Sequence, residues 1–352
     1  MLSPAIIAKL FFTAEVRIRT YRKLSTMTRH GVGVAAAVRT LQQRYARRSH
    51  PLAQVFGGIS INLSAGKPLH DALSDFVSAE ESMLIGAGVS GARMHESLEL
   101  CAELLQARLT IMRKVAQSLA YPAFLFALFI VLLVVVAVKV VPSLSTLSPP
   151  EQWTGAAWYL HLVSTTITSP AGIVMLCLLL LAFCLSLALL PVWTGRTRVW
   201  VEQIPPWSFY RLIQGCTWLF TLAIMQEARI QTQTALDAML HTRKTSRWLK
   251  EKLVAIRTQL TYGKHLGAAL TDTGFGFPDP EIVDDLSVYA PLPGFDSRLR
   301  IIAQEWLTNG VERIEQQAKI LNMVCISGII AMLCGVALAV GSLQQHLQHS
   351  MY

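Results

Sequence analysis

The chain has 352 residues, and its pairs Gly66-Lys67 and Gly263-Lys264 come nearest to a nucleotide-binding loop. Such a loop needs an earlier glycine five residues upstream and a Ser or Thr after the lysine, so that backbone N–H groups cradle phosphate and the hydroxyl reaches magnesium. Ile61 and Thr258 stand at the upstream positions, and Pro68 and His265 follow the lysines. Neither pair meets the requirement. His95-Glu96 lacks the second histidine of a zinc helix, while His346 and His349 have no acid nearby and read as a solvated tail. Glu80-Glu81 and Asp284-Asp285 read as solvated or helix-start acids rather than a catalytic pair. Cys101, Cys177, Cys184, Cys216, Cys325 and Cys334 form no CxxC pair and read as small packing residues. No catalytic, cofactor-binding or metal-binding residue is assigned, so no cofactor is expected and the chain reads as a non-enzyme.

The elements that would carry chemistry are instead apolar helices. With 53% hydrophobic and 15% charged residues, the composition exceeds what a soluble core needs. The surplus lies in Ala120–Pro142, Ala171–Trp193 and Ile320–Leu343, each long enough at 1.5 Å per residue to cross a hydrocarbon layer of roughly 30 Å. These are expected as three transmembrane helices. Pro122 is placed in the first turn of the first span, where a missing N–H costs little, with Tyr121 in the headgroup layer and Pro142 at the exit.

Charge assigns the sides. Lysine and arginine number 15 in residues 1–120 and 15 in 194–319, with Lys139 alone in 121–193 and none after 319. Positive charge is retained in the cytoplasm, so the N-terminus is expected inside and the C-terminus outside, in the periplasm. The predicted organisation is an amphipathic segment 1–21, a first cytoplasmic helical bundle 22–119, a span 120–142, a short periplasmic loop 143–170, a span 171–193, a second bundle 194–319, a span 320–343 and a tail 344–352. Segment 1–21 fits a surface helix on the membrane and docking on its own domain equally. In 143–170, Trp153, Trp158 and Tyr159 suggest a segment lying along the interface. Trp200 and Trp207 among Arg196, Arg198 and Arg211 suit the inner headgroup layer. No basic stripe interleaves with aromatics, so the bilayer rather than nucleic acid is the expected partner of the net +9 charge.

An internal repeat sets the architecture. Residues 66–73 align with 263–270 at five of eight positions, namely Gly66, Lys67, Leu69, Ala72 and Leu73 with Gly263, Lys264, Leu266, Ala269 and Leu270, an offset of 197. In the first copy Val34, Val38, Leu41 and Tyr45 share a helical face, and Leu98 to Leu119 repeat at spacings of three and four into the first span. Leu299, Ile302, Trp306, Val311 and Ile314 approach the third span in the same way. The fold class expected is an all-α integral membrane protein with two duplicated helical bundles and three spans.

The residues Gly88-Val89-Ser90-Gly91-Ala92-Arg93-Met94 resemble the Gly-Glu-x-Ser-Gly-x-Leu turn of the inner-membrane platform proteins of type II secretion systems and type IV pili, the general secretion protein F family. Ser118-Leu119-Ala120-Tyr121-Pro122 is similar to the family's entry into the membrane, Val140-Val141-Pro142 to its exit, and Ile204-Pro205-Pro206 to a signpost before the second bundle. Val89 stands where an acid is usual, and 290–296 keeps only Gly294 of the second turn. The divergence and compact length look more like the platform proteins of conjugative-plasmid thin pili and toxin-coregulated pili.

The resemblance implies a scaffold that couples a cytoplasmic hexameric assembly ATPase to extraction and polymerisation of pilin or pseudopilin, alongside other inner-membrane assembly proteins and as a homo-oligomer. Gly66, Gly88, Ser90, Gly91, Arg93, Tyr121, Pro122, Pro142, Gly263 and Gly294 are the candidate structural or contact residues. The alternative is a small transporter or channel. That reading has only Asn322, Ser327 and Ser186 to line a path, and no Asp, Glu or Arg within the spans.

Overall fold

The computed structural model describes residues 11–90, 93–146, 149–150, 153, 155–204, 206–242 and 245–350; Gly91, Glu151, Pro205 and the segments 1–10 and 351–352 lie outside them. In chain order the helices are α1 (Ala14–Arg29), α2 (Val34–Ala46), α3 (Leu52–Ser64), α4 (Leu69–Leu73), α5 (Ala79–Ser90), α6 (Met94–Val135), α7 (Val141–Ser145), α8 (Ala156–Thr168) and α9 (Pro170–Leu189). They continue as α10 (Arg196–Val201), α11 (Trp207–Glu227), α12 (Thr232–His241), α13 (Arg247–Thr261), α14 (Leu266–Thr273), α15 (Pro280–Tyr289) and α16 (Phe295–Ser350). The protein is all-α, with no strand among the described residues. It forms two compact units, Met1–Arg113 with Leu190–Gly310, and Lys114–Leu189 with Val311–Tyr352.

The first unit contains the same succession of helices twice. A shift of 197 places lays α11 to α15 and the start of α16 over α1 to α5 and the start of α6, with helix ends agreeing within about four residues. The cores correspond in detail. Tyr21 and Trp218 occupy equivalent places and are both buried, as are Val38 and Ala235, Phe56 and Leu253, and Leu69 and Leu266. After α3 and after α13 the chain turns through Gly66 and Gly263, both at φ +81, a left-handed conformation that costs L side chains energy. The repeated Gly-Lys is therefore a turn that ends a helix.

The copies pack their first and last helices differently. In the first, Glu15 of α1 pairs with Arg113 of α6. At the equivalent places of the second, Leu212 lies against Gly310, where an added Cβ would sit 3.4 Å from Leu212 Cδ1 and 2.8 Å from Cys216 Sγ. Dropping the side chain lets α16 come close enough for apolar contact, where α6 uses an ion pair. Helix α1 itself runs unbroken through Tyr21, and its buried Ile18, Tyr21 and Leu24 dock it in the first unit.

Among the described residues three helices are long and apolar enough to cross a membrane, Met94–Ser145 taken as one run, Pro170–Leu189 and Arg298–Ser342, of which the first and third begin in the first unit and continue into the second. Their side chains are largely outward-facing, as lipid contact requires. Pro122 lies deep within α6 rather than in a first turn, because the helix begins at Met94. Neighbouring backbone adjustments accommodate a proline at such a place. Pro142 does not end the helix either. Val136–Val140 form a π-helical turn, α7 then carries Pro142, and Ser164 Oγ donates to the Ala137 carbonyl at 2.8 Å.

The segment expected as a loop contains the 13-residue helix α8. Trp153 is buried with Val136, Val141, Leu144, Ala157, Leu160 and Ala339, whereas Trp158 and Tyr159 are exposed. The apolar face of α8, hidden in sequence by flanking Pro and Ser, gives Trp153 a protein surface to pack on instead of an interface.

Candidate partner-binding site

The residues resembling the platform-protein turn sit where α5 meets α6. Gly88, Val89 and Ser90 remain helical, as the last turn of α5. Gly88 is buried, and a Cβ there would lie 2.5 Å from Ser97 Oγ, so its missing side chain lets the two helices abut. Val89 is exposed. Arg93 N–H donates to the Gly88 carbonyl at 3.1 Å, and the half-exposed Arg93 guanidinium pairs with Glu96 at 3.1 Å. In the second copy Gly294 takes φ +79 immediately before α16.

At the other end of α5, in its first turn, lie Glu80 and Glu81, buried rather than solvated. Ser78 and Glu81 form a reciprocal cap on α5: Ser78 N–H donates to Glu81 Oε1 at 3.3 Å, and Glu81 N–H to Ser78 Oγ at 3.3 Å. Glu81 Oε2 accepts from Tyr21 Oη at 2.8 Å and pairs with Arg17 Nε at 3.1 Å. Several donors thus hold one carboxylate, which is what a buried charge requires. Burial, and next the Glu81 charge, push the Tyr21 hydroxyl well above its ordinary pKa and keep it a donor. The Ser-x-x-Glu spacing at 78–81 is the signal that could have found this network.

Glu80 pairs with Arg108 at 2.9 Å, and Arg108 reaches Thr221 of the second copy at 3.0 Å. Arg300 pairs with Glu103 of the first copy at 2.6 Å and also with Glu227. Between the copies a cleft of about 1710 Å³ is lined by Arg17, His70, Arg108, Trp218, Thr221 and His241, among others. Its cations are matched by Glu80 and Glu81, leaving polar and apolar wall in mixture.

Arg198 and Arg211 turn inward, contrary to their expected place in the headgroup layer. Arg198 is fully buried, pairs with Glu202 at 3.2 Å, and lies 4.7 Å from the Trp248 ring centroid and 5.1 Å from that of Trp207. Trp248 Nε1 donates to Glu202 at 2.7 Å, and Arg211 donates to the Gly276 and Pro278 carbonyls. Trp200, 82% exposed, keeps the outward orientation. Among the described residues no group of three or more His, Cys, Asp or Glu is placed to hold a metal ion.

The family model of type II secretion system protein F matches residues 20–142, from within α1 through α7's proline. Residues 20–142 are thus similar to a protein F domain. Over 294 residues the chain is also 21% identical to the toxin coregulated pilus biosynthesis protein E of Vibrio cholerae serotype O1, covering 83% of this chain and 85% of that protein. The resemblance drawn from Gly88 to Met94 and from Tyr121-Pro122 thus falls inside the matched residues.

Within the matched residues the structure brings Gly88, Ser90 and Arg93 to one corner, Gly91 lies outside the described residues, and the remaining candidates stand elsewhere. Gly66 is at the α3 turn, Tyr121 is exposed on α6 beside Pro122, and Pro142 follows the π-helical turn. Gly263 and Gly294 belong to the second copy. Cys101 and Cys216 are buried in the first unit and Cys325 in the second, while Cys177, Cys184 and Cys334 face outward from apolar helices. Asp284 and Asp285 are exposed, as read from sequence.

Proposed function

We propose that the chain is an inner-membrane platform protein of a type IV pilus or type II secretion system, coupling a cytoplasmic hexameric assembly ATPase to pilin or pseudopilin extraction and polymerisation. The observation that carries this reading is the match to protein F over 20–142 together with similarity to a pilus biosynthesis protein along most of the chain. The N-terminus and both helical bundles lie in the cytoplasm and the C-terminus in the periplasm, following the positive charge. The role is mechanical scaffolding rather than catalysis, with other inner-membrane assembly proteins and further copies of the chain as neighbours.

Physical support comes from α6 and α16, each of which continues from bundle residues into apolar ones without a loop. The corner at Gly88, Ser90 and Arg93 is the proposed motor contact, with Gly91 a further contact candidate by sequence, and the turns at Gly66 and Gly263 hold the bundle geometry on which it depends.

Deleting the gene and restoring it with wild type or with Gly88→Leu tests the reading. Loss of surface pili or of secretion on deletion, recovery with wild type and failure with Gly88→Leu at normal protein level are expected. Unchanged piliation and secretion in the deletion strain would overturn it.

A further inference from the structure

Residues 16–70 contain ten Lys or Arg and no Asp or Glu. The balance is not repeated at the equivalent residues 213–267, which include Glu227, Asp237 and Glu251. Two of the ten find carboxylates elsewhere in the fold, Arg17 on Glu81 and Arg22 on Glu99. Arg19 and Lys23 lie one turn apart on α1, Arg44 lies in the last turn of the adjacent α2, and Arg48 in the turn that follows it. All four are exposed and, among the described residues, none has an ion-pair partner.

The second copy shows what the fold itself asks for at these places. At the offset of 197, Arg19, Lys23, Arg44 and Arg48 correspond to Cys216, Phe220, His241 and Thr245. The same helices form there without the four charges, so packing does not require them. Their mutual repulsion opposes folding. Lys23 registers this, its pKa being lowered by partial burial and then by Arg44, Arg19 and Arg48.

We propose that Arg19, Lys23, Arg44 and Arg48 form a docking face for an acidic protein surface. Four uncompensated cations on two packed helices and the turn after the second complement clustered carboxylates, which speeds encounter and fixes register. A bilayer is the poorer fit. Neither α1 nor α2 carries an exposed large apolar side chain, so the face lacks the wedge by which surface helices enter lipid. Resting on the platform reading, the proposal assigns the acidic surface to the assembly ATPase, at a face additional to the Gly88–Arg93 corner.

The test uses the full-length protein in phosphatidylcholine nanodiscs and the purified ATPase of the same assembly system. Wild type, the variant Lys23→Glu with Arg44→Glu, and the control Lys250→Glu are compared at about 50 and about 300 mM salt. Circular dichroism checks that each folds. The expected result is ATPase binding by wild type and control that weakens with salt, and a loss of roughly tenfold or more in the double variant. Reversing two carboxylates on the ATPase to lysine should restore part of that loss. Equal binding by the double variant would overturn the docking face and leave the platform reading standing. Absence of ATPase binding by wild type would overturn both. Binding only to phosphatidylglycerol nanodiscs, lost in the double variant, would reassign the face to lipid and overturn the proposal as stated.

Discussion

Glu103 and Arg300 stand at equivalent positions of the two copies, 197 residues apart, and their side chains meet at 2.6 Å. Equivalent side chains touch only near an axis relating the copies, so this pair marks where the two bundles of the first unit join. Arg300 also binds Glu227. Partial burial pulls its pKa down, but the hydrogen bond to Glu227 and the charge of Glu103 outweigh that and raise it. A duplication with identical residues here would set like charges face to face.

Swapping the charges tests this junction. Glu103→Arg and Arg300→Glu should each lower the melting temperature, and together recover most of the loss. The coupling should be about 1 kcal/mol or less because both side chains keep partial solvent access. A double-mutant cycle by thermal unfolding in detergent reads it, and additive losses would show that the pair does not join the copies.

The twin turns predict matched penalties. Gly66→Ala and Gly263→Ala should each destabilise by about 1 kcal/mol, since both glycines hold φ +81 and no atom obstructs an added Cβ. Gly267→Ala should cost more, because its Cβ would fall 2.3 Å from the Leu286 carbonyl oxygen. Melting temperatures of the three variants side by side give the order, and an equal or smaller loss at 267 would contradict the tight α14–α15 packing.

Lys252 occupies the place of Val55 in the first copy, and both are buried. Its amine lies 3.5 Å from the Phe275 ring centroid and 4.0 Å from Glu251, and burial lowers its pKa. With the folded value below the unfolded one, the unfolded chain binds more protons between the two. Wild-type stability should therefore rise as pH climbs through that window toward 10.5. Lys252→Val should remove this dependence and raise stability near neutral pH by about 1 kcal/mol or more. Melting curves over a pH series check both. A neutral-pH loss would mean the amine's aromatic and Glu251 contacts outweigh its desolvation.

Tyr21→Phe removes a donor from a buried carboxylate and should cost about 1.5–3 kcal/mol. Trp218 shows that the equivalent place accepts a large aromatic without this bond, so the variant should still fold. Denaturant unfolding measures the difference, and a loss below a few tenths would place the Glu81 charge on Arg17 and Ser78 alone.

The duplicated frame was legible because Gly66 and Gly263 each carry the same Lys, Leu and Ala-Leu after them, and backbone turns write themselves into such residues. The apolar spans were legible from hydropathy. Inward charges were not. Arg198 reads as a surface cation until Glu202, Trp207 and Trp248, from three segments, close around it. Pro122 misled because a proline signals a first turn only where a helix begins, and α6 begins at Met94. Helix α8 escaped notice because Pro149-Pro150 and its Ser and Thr residues read as a loop, and only packing against Val136 and Ala339 fixes Trp153. Of the contact residues, the Gly88–Arg93 corner was visible as a motif, but the buried Glu81 network at the other end of α5 depends on Tyr21, distant in sequence.

The most direct measurement of the platform account is photo-crosslinking in living cells from a reactive residue at position 93, which is exposed beside the Gly88 corner. Capture of a cytoplasmic hexameric ATPase, abolished when Gly88 is replaced by leucine, is the expected result. Capture of lipid or of a second copy alone, unchanged by that replacement, would contradict a motor contact at this corner.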